Sequence, residues 1–431
     1  MALPISFGIL VPQLNFITNN IFLGQLSEQA LATAAITGVY YLIFGAIGFG
    51  LNNGLQALIS RRAGENRPEE IGKLFIHGLG ISLLIALAGI VLTYTLAPQV
   101  LRYSIHDTAI REQAVSFLKI RIWGLPFLYI YQMRNALLVG TNQSKYLVGG
   151  TVAEALSNVL LDYGLIFGHL GLPRLGFNGA AYASIAAEFL GMAVVFAVIH
   201  VKGISKRFSL FSHLKYHAAT ARLIVAQSSP LVFQSAISII SWEFFYVLIE
   251  HHGERDLSIS NAMRNLFGLF GMFSWALAAT CNTMVSNIIG QGRRDQVLFL
   301  IRKIVRISTG ISIVVCGLLN IFPHAFLSIY GQTDSWVEHA IPVLRVVSVA
   351  LVMMSFATVW INGVTGTGNS AVNLLIEAVT LIAYSVYVWV VLEVMKLSVT
   401  VGWMSEWVYW TFVFGQSFFY MKSGRWKNKV I

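Results

Sequence analysis

Charge is scarce in this 431-residue chain: Asp, Glu, Lys and Arg make up 11% of it, while 56% is hydrophobic. So thin a supply of charge excludes an ordinary soluble domain, in which about a quarter of residues are charged. Only two cysteines occur, Cys281 and Cys316, each isolated in an apolar run. That excludes a disulfide framework or a thiolate metal site and leaves both as small core residues. No Gly-x-x-x-x-Gly-Lys-(Ser/Thr) segment is present, so ATP is not the direct energy source. The ten histidines fall at the ends of apolar runs or in loops, without a His/Asp or metal-ligand constellation, which argues against an intramembrane enzyme. The opening "MALPISFGIL" has no basic segment and reads as retained helix, not as a cleaved signal peptide.

What the chain has instead is apolar length. Runs of at least ~18 residues recur about twelve times, each long enough to cross a hydrocarbon core of roughly 30 Å at about 1.5 Å per residue. Backbone amides in lipid must be satisfied inside a helix or a closed barrel, and the alternation of barrel strands is missing. The class is therefore an all-α integral membrane protein with twelve transmembrane helices. The expected spans are 2–25, 31–60, 73–97, 116–140, 146–168, 178–201, 222–250, 257–289, 300–322, 337–365, 370–395 and 399–421.

The distribution of Lys and Arg gives the orientation. Segments after even-numbered spans, with the tail, carry Arg61, Arg62, Arg67, Lys73, Lys145, Lys202, Lys206, Arg207, Lys215, Arg222, Arg293, Arg294, Arg302, Lys303, Lys422, Arg425, Lys427 and Lys429. Segments after odd-numbered spans carry only Arg102, Arg111, Arg174, Arg255 and Lys396. The positive-inside rule places both termini in the cytoplasm of a multi-pass protein of the cell (inner) membrane. It also accounts for the net charge of +10 without nucleic acid.

An internal repeat runs at a constant offset of 226 residues. Pro4 falls on Pro230, Phe7 on Phe233, Gly64 on Gly290, Arg67 on Arg293, and "GTNQS" at Gly140 on "GTGNS" at Gly366. With an even number of spans per half, both halves enter the membrane from the same side, and the repeat is parallel. The expected organisation is a six-helix N-terminal lobe (1–201), a cytoplasmic basic linker (202–221) and a six-helix C-terminal lobe (222–431). Paired homologous bundles suit transport by alternating access.

Function has to come from the polar residues inside the spans, because each ionised group at the bilayer centre costs about 2.5–3.5 kcal/mol and needs a partner, water or a proton. Counting outward from the turn near Gln143 puts Arg134 and Glu154 at similar depths, and the same count about Glu254 matches Glu243 with Arg264. Either pair could be a structural salt bridge. Asp162 has no basic residue at its depth on the adjacent hairpins. Glu154, Asn158 and Asp162 recur every fourth residue and share one helix face, and Asn15 and Asn19 offer a second polar face on the first helix. An unpaired buried carboxylate either exchanges a proton during a cycle or merely ties helices together. The 28 Phe, 16 Tyr and 10 Trp could line a cleft for flat cations, although aromatic belts at the interfaces claim most such residues.

The run "SNVLLDYGLIFGHLGLPRLGFNGAAYAS", Ser157 to Ser184, resembles the fifth and sixth helices of the multidrug and toxic compound extrusion (MATE) transporters. "SRRAGENRPEEIGK" and "SNIIGQGRRDQV" are similar to that family's loops after the second and eighth helices, and "LGQLSEQALATAAI" to its first outer loop. The resemblance implies two six-helix lobes around a cleft and export of amphipathic, often cationic, organic compounds in exchange for protons or sodium ions. It assigns cation coupling to Asn158 and Asp162, with Ser184 as the motif's hydroxyl. Many members carry Asp in the first helix where this chain has Asn19, which cannot titrate, so Asp162 would act alone or with Glu154 or Glu188. The second lobe offers a competing site at Glu243 and Glu377, with Arg264 and Asn265 near them in sequence. The alternative is a lipid or lipid-linked oligosaccharide flippase of the same broad superfamily, for which the intramembrane arginines are few. The expected partners are a small organic substrate and the bilayer, with no cofactor beyond the coupling ion and the chain acting as a monomer.

Overall fold

Each of the twelve expected crossings is helical. The computed structural model describes residues 2–104, 107–212, 215–330 and 333–429, and among them every regular element is a helix. The first half contains α1 (Ala2–Leu26), α2 (Glu28–Gly64), α3 (Pro68–Ser104), α4 (Thr108–Arg121), α5 (Leu125–Gly140), α6 (Leu147–Phe167), α7 (Phe177–Val201) and the short α8 (Ile204–Arg207). The second contains α9 (Ala218–Glu250), α10 (Glu254–Gly290), α11 (Val297–Ile321), the short α12 (Pro323–Leu327), α13 (Asp334–Thr367), α14 (Ser370–Trp389), the short α15 (Val399–Gly402) and α16 (Ser405–Lys422). The fourth crossing is α4 and α5 joined through a single 3₁₀ turn, Ile122–Gly124.

Among the described residues nine helices are long and apolar enough to cross a membrane. The Asp162 helix, α6, is not one of them, because Glu154, Asn158 and Asp162 lower its hydropathy, and α16 is replete with Trp and Tyr.

The repeat is visible in the backbone. Shifting α2 by 226 positions gives the bounds of α10, and the positions that stop the helices correspond as well. Asn66 (φ 57°) corresponds to Gly292 (φ 78°), and Asn142 (φ 60°) to Gly368 (φ 90°). Asn and Gly are the residues that tolerate the left-handed region, so each half ends these helices with whichever of the two it retained. Asp107 caps α4 by accepting from the amides of Ala109 and Ile110, and its counterpart Thr333 caps α13.

Packing divides the chain into two compact units, at Val232/Phe233 within α9 and not in the 202–221 linker. Small residues explain why α9 begins in the first unit. A Cβ on Gly50 would stand 2.6 Å from the Val232 amide, and one on Gly54 would stand 2.8 Å from Ser228 Cα, so the absence of a side chain on α2 lets the α9 backbone approach closely.

The linker is likewise docked on the first unit. Ile204, Phe208 and Leu210 are buried, the carbonyl of Ser209 would lie 2.6 Å from a Cβ on Gly72, and Phe211 packs edge-on against Phe75. His77 Nδ1 lies 2.8 Å from the Lys73 carbonyl, and Nε2 lies 2.8 Å from the His217 amide. A carbonyl only accepts and an amide N–H only donates, so the two bonds suit an imidazole that donates from Nδ1 and accepts at Nε2.

Candidate functional site

In the first unit, α6 presents Glu154, Asn158 and Asp162 on one face, as the spacing requires. Asp162 is fully buried, at 0% exposure. Asn19 of α1 reaches it: with the amide turned so that its nitrogen faces the carboxylate, the orientation its surrounding acceptors favour, that nitrogen donates to Oδ2 at 2.7 Å and Oδ1 at 3.2 Å. No ion pair to Asp162 occurs among the described residues, although the field of Arg121 reaches it. Asn158 is buried with its amide nitrogen unpartnered. The side chain of Asn15 lies outside the described residues.

Glu188 of α7 is already engaged. Arg121, at the end of α4, donates Nη1 to Oε2 at 3.1 Å and Nη2 to Oε1 at 2.5 Å, and its guanidinium lies 4.0 Å from the centre of the Tyr41 ring. Both partners are nearly buried, and the room for the pair comes from Gly124, where a Cβ would collide with Arg121 Nη1 and Glu188 Oε2. Ser184, one helical turn before Glu188, is half-buried, and no hydrogen bond joins it to Asp162 or Asn158 among the described residues.

The expected pairing of Arg134 with Glu154 does not form. Arg134 instead lies 4.4 Å from the centre of the Tyr131 ring and donates to the Gly191 carbonyl at 3.1 Å, leaving Nε and Nη2 buried without partners. Glu154 packs beside Gly191, where an added Cβ would stand 2.8 Å from Glu154 Cβ. Equal depth brought the two groups close, but rotation about the helix axes turned the guanidinium elsewhere.

In the second unit the other expected pair, Glu243 with Arg264, is also replaced. Arg264 lies 5.7 Å from the Trp242 ring centre and 5.4 Å from that of Tyr246, so aromatic faces take the place of a carboxylate. Glu243 is half-buried and Asn265 is exposed. Glu377 of α14 is 1% exposed and held by neutral donors alone: Ser238 at 2.6 Å, Tyr409 at 2.7 Å and Gln234 at 3.3 Å. It thereby ties α9 and α16 to α14.

Two groups were passed over in the sequence. Arg121 sits inside an expected span, and that position alone marks it for attention. Glu406 of α16, in "GWMSEWVYW", is 4% exposed and accepts from the indoles of Trp410 (3.0 Å) and Trp242 (3.4 Å). It lines a cavity of about 270 Å³ whose walls include Trp242, Trp275, Tyr384 and Trp410.

The duplicated scaffold does not duplicate these polar groups. At the 226-residue offset Asp162 becomes Val388, Glu188 becomes Phe414 and Asn19 becomes Phe245, while Glu406 faces back to Ala180. Each unit carries its own chemistry on a common frame.

Comparison with known proteins agrees with both the frame and the repeat. The MatE family model matches residues 4–164 and again 230–390, two matches displaced by the same 226 positions. The probable multidrug resistance protein NorM of Thermotoga maritima is 20% identical over 442 residues, covering 100% of this chain and 93% of that protein. The probable multidrug resistance protein NorM of Synechocystis is 27% identical over 190 residues, which are 44% of this chain and 41% of that relative. A crystal structure of MATE in complex with MaL6 superposes with a TM-score of 0.90 at 16% identity, covering 98% of this chain and 95% of that one. A MOP superfamily transporter from Pyrococcus furiosus, whose binding pocket is described as having reverse polarity, also gives 0.90 at 16% identity, with 100% and 96% covered. The structural matches speak for the shared fold, and the family match spans most of both halves. The chain therefore belongs to the MatE family, the multidrug and toxic compound extrusion transporters.

Proposed function

We propose that this multi-pass membrane protein exports amphipathic, often cationic, organic compounds by antiport with protons or sodium ions, with both termini in the cytoplasm. The observation that carries the coupling assignment is Asp162: a carboxylate at 0% exposure whose hydrogen-bond partner is the neutral amide of Asn19. A charge buried in that way is costly unless a cation or proton is taken up with it. Asn158, with an unpartnered amide one turn away, lies beside it on the same helix face. Glu154 is the second carboxylate of the stripe. Glu188 is committed to Arg121 and acts on the site through that guanidinium. The names of the relatives support the substrate class, and an ion gradient supplies the energy, the membrane potential alone being worth about 2.3 kcal/mol per charge per 100 mV.

The test is transport by the full-length protein in proteoliposomes under separately imposed proton and sodium gradients. Asp162→Asn is expected to abolish ion-driven efflux while the purified protein remains monodisperse; undiminished coupled efflux by that variant refutes the assignment. The flippase alternative draws on the two buried, unpartnered nitrogens of Arg134, which suit an anionic headgroup. It predicts movement of a labelled lipid-linked sugar in the same vesicles.

A further inference from the structure

We infer that the outer face of α11, in the second unit, binds an anionic phospholipid whose headgroup rests on Arg302, Lys303 and Arg306. These three cations lie inside a segment long and apolar enough to cross a membrane, Arg294–Ile321, and all three are exposed. None of them makes an ion pair among the described residues. The acidic residue nearest in sequence, Asp295, is exposed in the 3₁₀ turn that precedes the helix. Arg306 is nine residues past Val297, the first of α11, which places its Cα about 14 Å along the axis. A lone cation on a membrane helix is costly at that depth unless its stem carries the charge back toward the interface and an anion meets it there.

The surroundings of the three cations indicate lipid. At about 100° per residue, Phe299, Arg302, Lys303, Arg306, Gly310 and Val314 fall within roughly 60° of one line along the helix. The opposite side carries Ile301, Ile304, Ser308 and Leu319, which are buried. Phe299 is 71% exposed and Val314 63%, so the cations are set into an apolar stripe that water would not solvate well. At Gly310 the stripe is bare, since even an added Cβ would meet nothing within 4 Å. A phosphate held among the cations therefore leaves its acyl chains an open apolar track over Gly310 to Val314, eight residues or about 12 Å beyond Arg306. Guanidinium forks match phosphate oxygens in pairs. A zwitterionic lipid brings a cation of its own to the same place, so three cations without a counter-charge select a lipid of net negative charge.

The cluster is specific to this half. At the 226-residue offset Arg302, Lys303 and Arg306 become Ile76, His77 and Gly80. There the corresponding face of α3 is overlain by protein: His77 is 8% exposed, with its Nε2 on the His217 amide and its ring 6.0 Å from that of Tyr216. On α11 the described residues leave Lys303 open. The positive-inside rule is served by Arg293 and Arg294 in the preceding loop and does not ask for a cation as deep as Arg306. Which leaflet supplies the lipid rests on the orientation proposed above, whereas binding depends neither on that orientation nor on the transport reading.

The test is photocrosslinking of the full-length protein in phosphatidylcholine nanodiscs. Phosphatidylglycerol or phosphatidylcholine, each with a diazirine in one acyl chain, is added at equal low mole fraction, and the labelled peptides are mapped by mass spectrometry. The α11 peptide that contains Gly310 and Val314 is expected to take at least fivefold more of the phosphatidylglycerol probe. That preference is expected to vanish in a variant carrying Arg302→Gln, Lys303→Gln and Arg306→Gln, and to persist in excess glycerol 1-phosphate. Equal labelling by the two probes, or an undiminished preference in the triple variant, overturns the assignment. Loss of the preference to glycerol 1-phosphate overturns it as well, by showing a site for a soluble phosphate. The comparison of probes and the competition use wild-type protein, so they decide the matter even if the variant fails to fold. No gradient or substrate is involved, and a negative result leaves the Asp162 assignment to its own assay.

Discussion

Replacing Arg121 by methionine leaves the Glu188 carboxylate buried with its cation gone. The two groups meet through contacts of 2.5 and 3.1 Å. At about 3 Å and an effective dielectric of about 20, the attraction removed is about 5 kcal/mol, in keeping with the roughly 3–5 kcal/mol lost when one partner of a buried pair is deleted. The converse change, Glu188→Met, strands the guanidinium at similar cost. Replacing both together removes the pair and its desolvation cost at once, so the double variant is expected within about 1–2 kcal/mol of wild type. At about 2–4 °C per kcal/mol for a body of this size, the single variants are expected to lose roughly 10 °C or more and the double variant only a few degrees. Gly124→Ala is expected to behave like the single variants, because its Cβ would meet both charged groups. The assay is the fraction of protein that remains monodisperse by size-exclusion after a heating series in detergent. If Arg121→Met is as stable as wild type, or the double variant is less stable than either single one, the pair is not what holds α4 to α7 and the reasoning fails.

Asn19→Ala removes both hydrogen bonds to Asp162. Bonds to a charged group are worth about 1.5–3 kcal/mol and favour its ion-free form, so without them the half-saturating proton concentration for efflux is expected to fall at least tenfold; an unchanged value removes Asn19 from the site. Glu377→Leu strands three hydrogen-bonding side chains from α9 and α16 and is expected to cost several kcal/mol of thermal stability, whereas Glu377→Gln, which preserves an acceptor, is expected to cost markedly less. Gly54→Val places bulk against Ser228 Cα and is expected to lower the yield of folded protein, by overpacking of about 1–3 kcal/mol or more, with Gly54→Ala in between. His77→Ala frees the His217 amide and is expected to speed tryptic cleavage after Lys215, read as the rate of appearance of two fragments; cleavage at the wild-type rate disposes of the fastening role.

The helices and their duplication were legible because lipid permits few alternatives. A backbone that cannot bond to water must be helical, and copies of one hairpin reuse the same stops, as Asn66 with Gly292 and Asn142 with Gly368 demonstrate. The candidate carboxylates Asp162 and Glu377 were legible for the same reason: each is a charge inside an otherwise apolar span. What stayed hidden is angular. Depth counting brings Arg134 level with Glu154 and Arg264 level with Glu243, but it carries no information on rotation about the helix axis, and both guanidinium groups turn to aromatic rings. Contacts between distant segments were hidden as well. Trp242 and Glu406 are separated by 164 positions, and Arg121 and Glu188 by 67, distances over which no local pattern reports contact. The Asn19 contact with Asp162 falls between these cases, since family likeness drew attention to both residues but only coordinates join them.

The non-repetition of charge on a repeated scaffold bears on how such a molecule could be re-engineered. Position 388 occupies the address of Asp162 in the other copy, on the matching helix and equally buried, yet it houses a valine. Habitability for an ion is thus a property of the tenants and not of the building: a carboxylate grafted at Val388 would find Phe245 where an amide is needed. Moving the proposed ion-handling function from one half to the other would take a transplanted neighbourhood, and a single transplanted acid would only unfold its host.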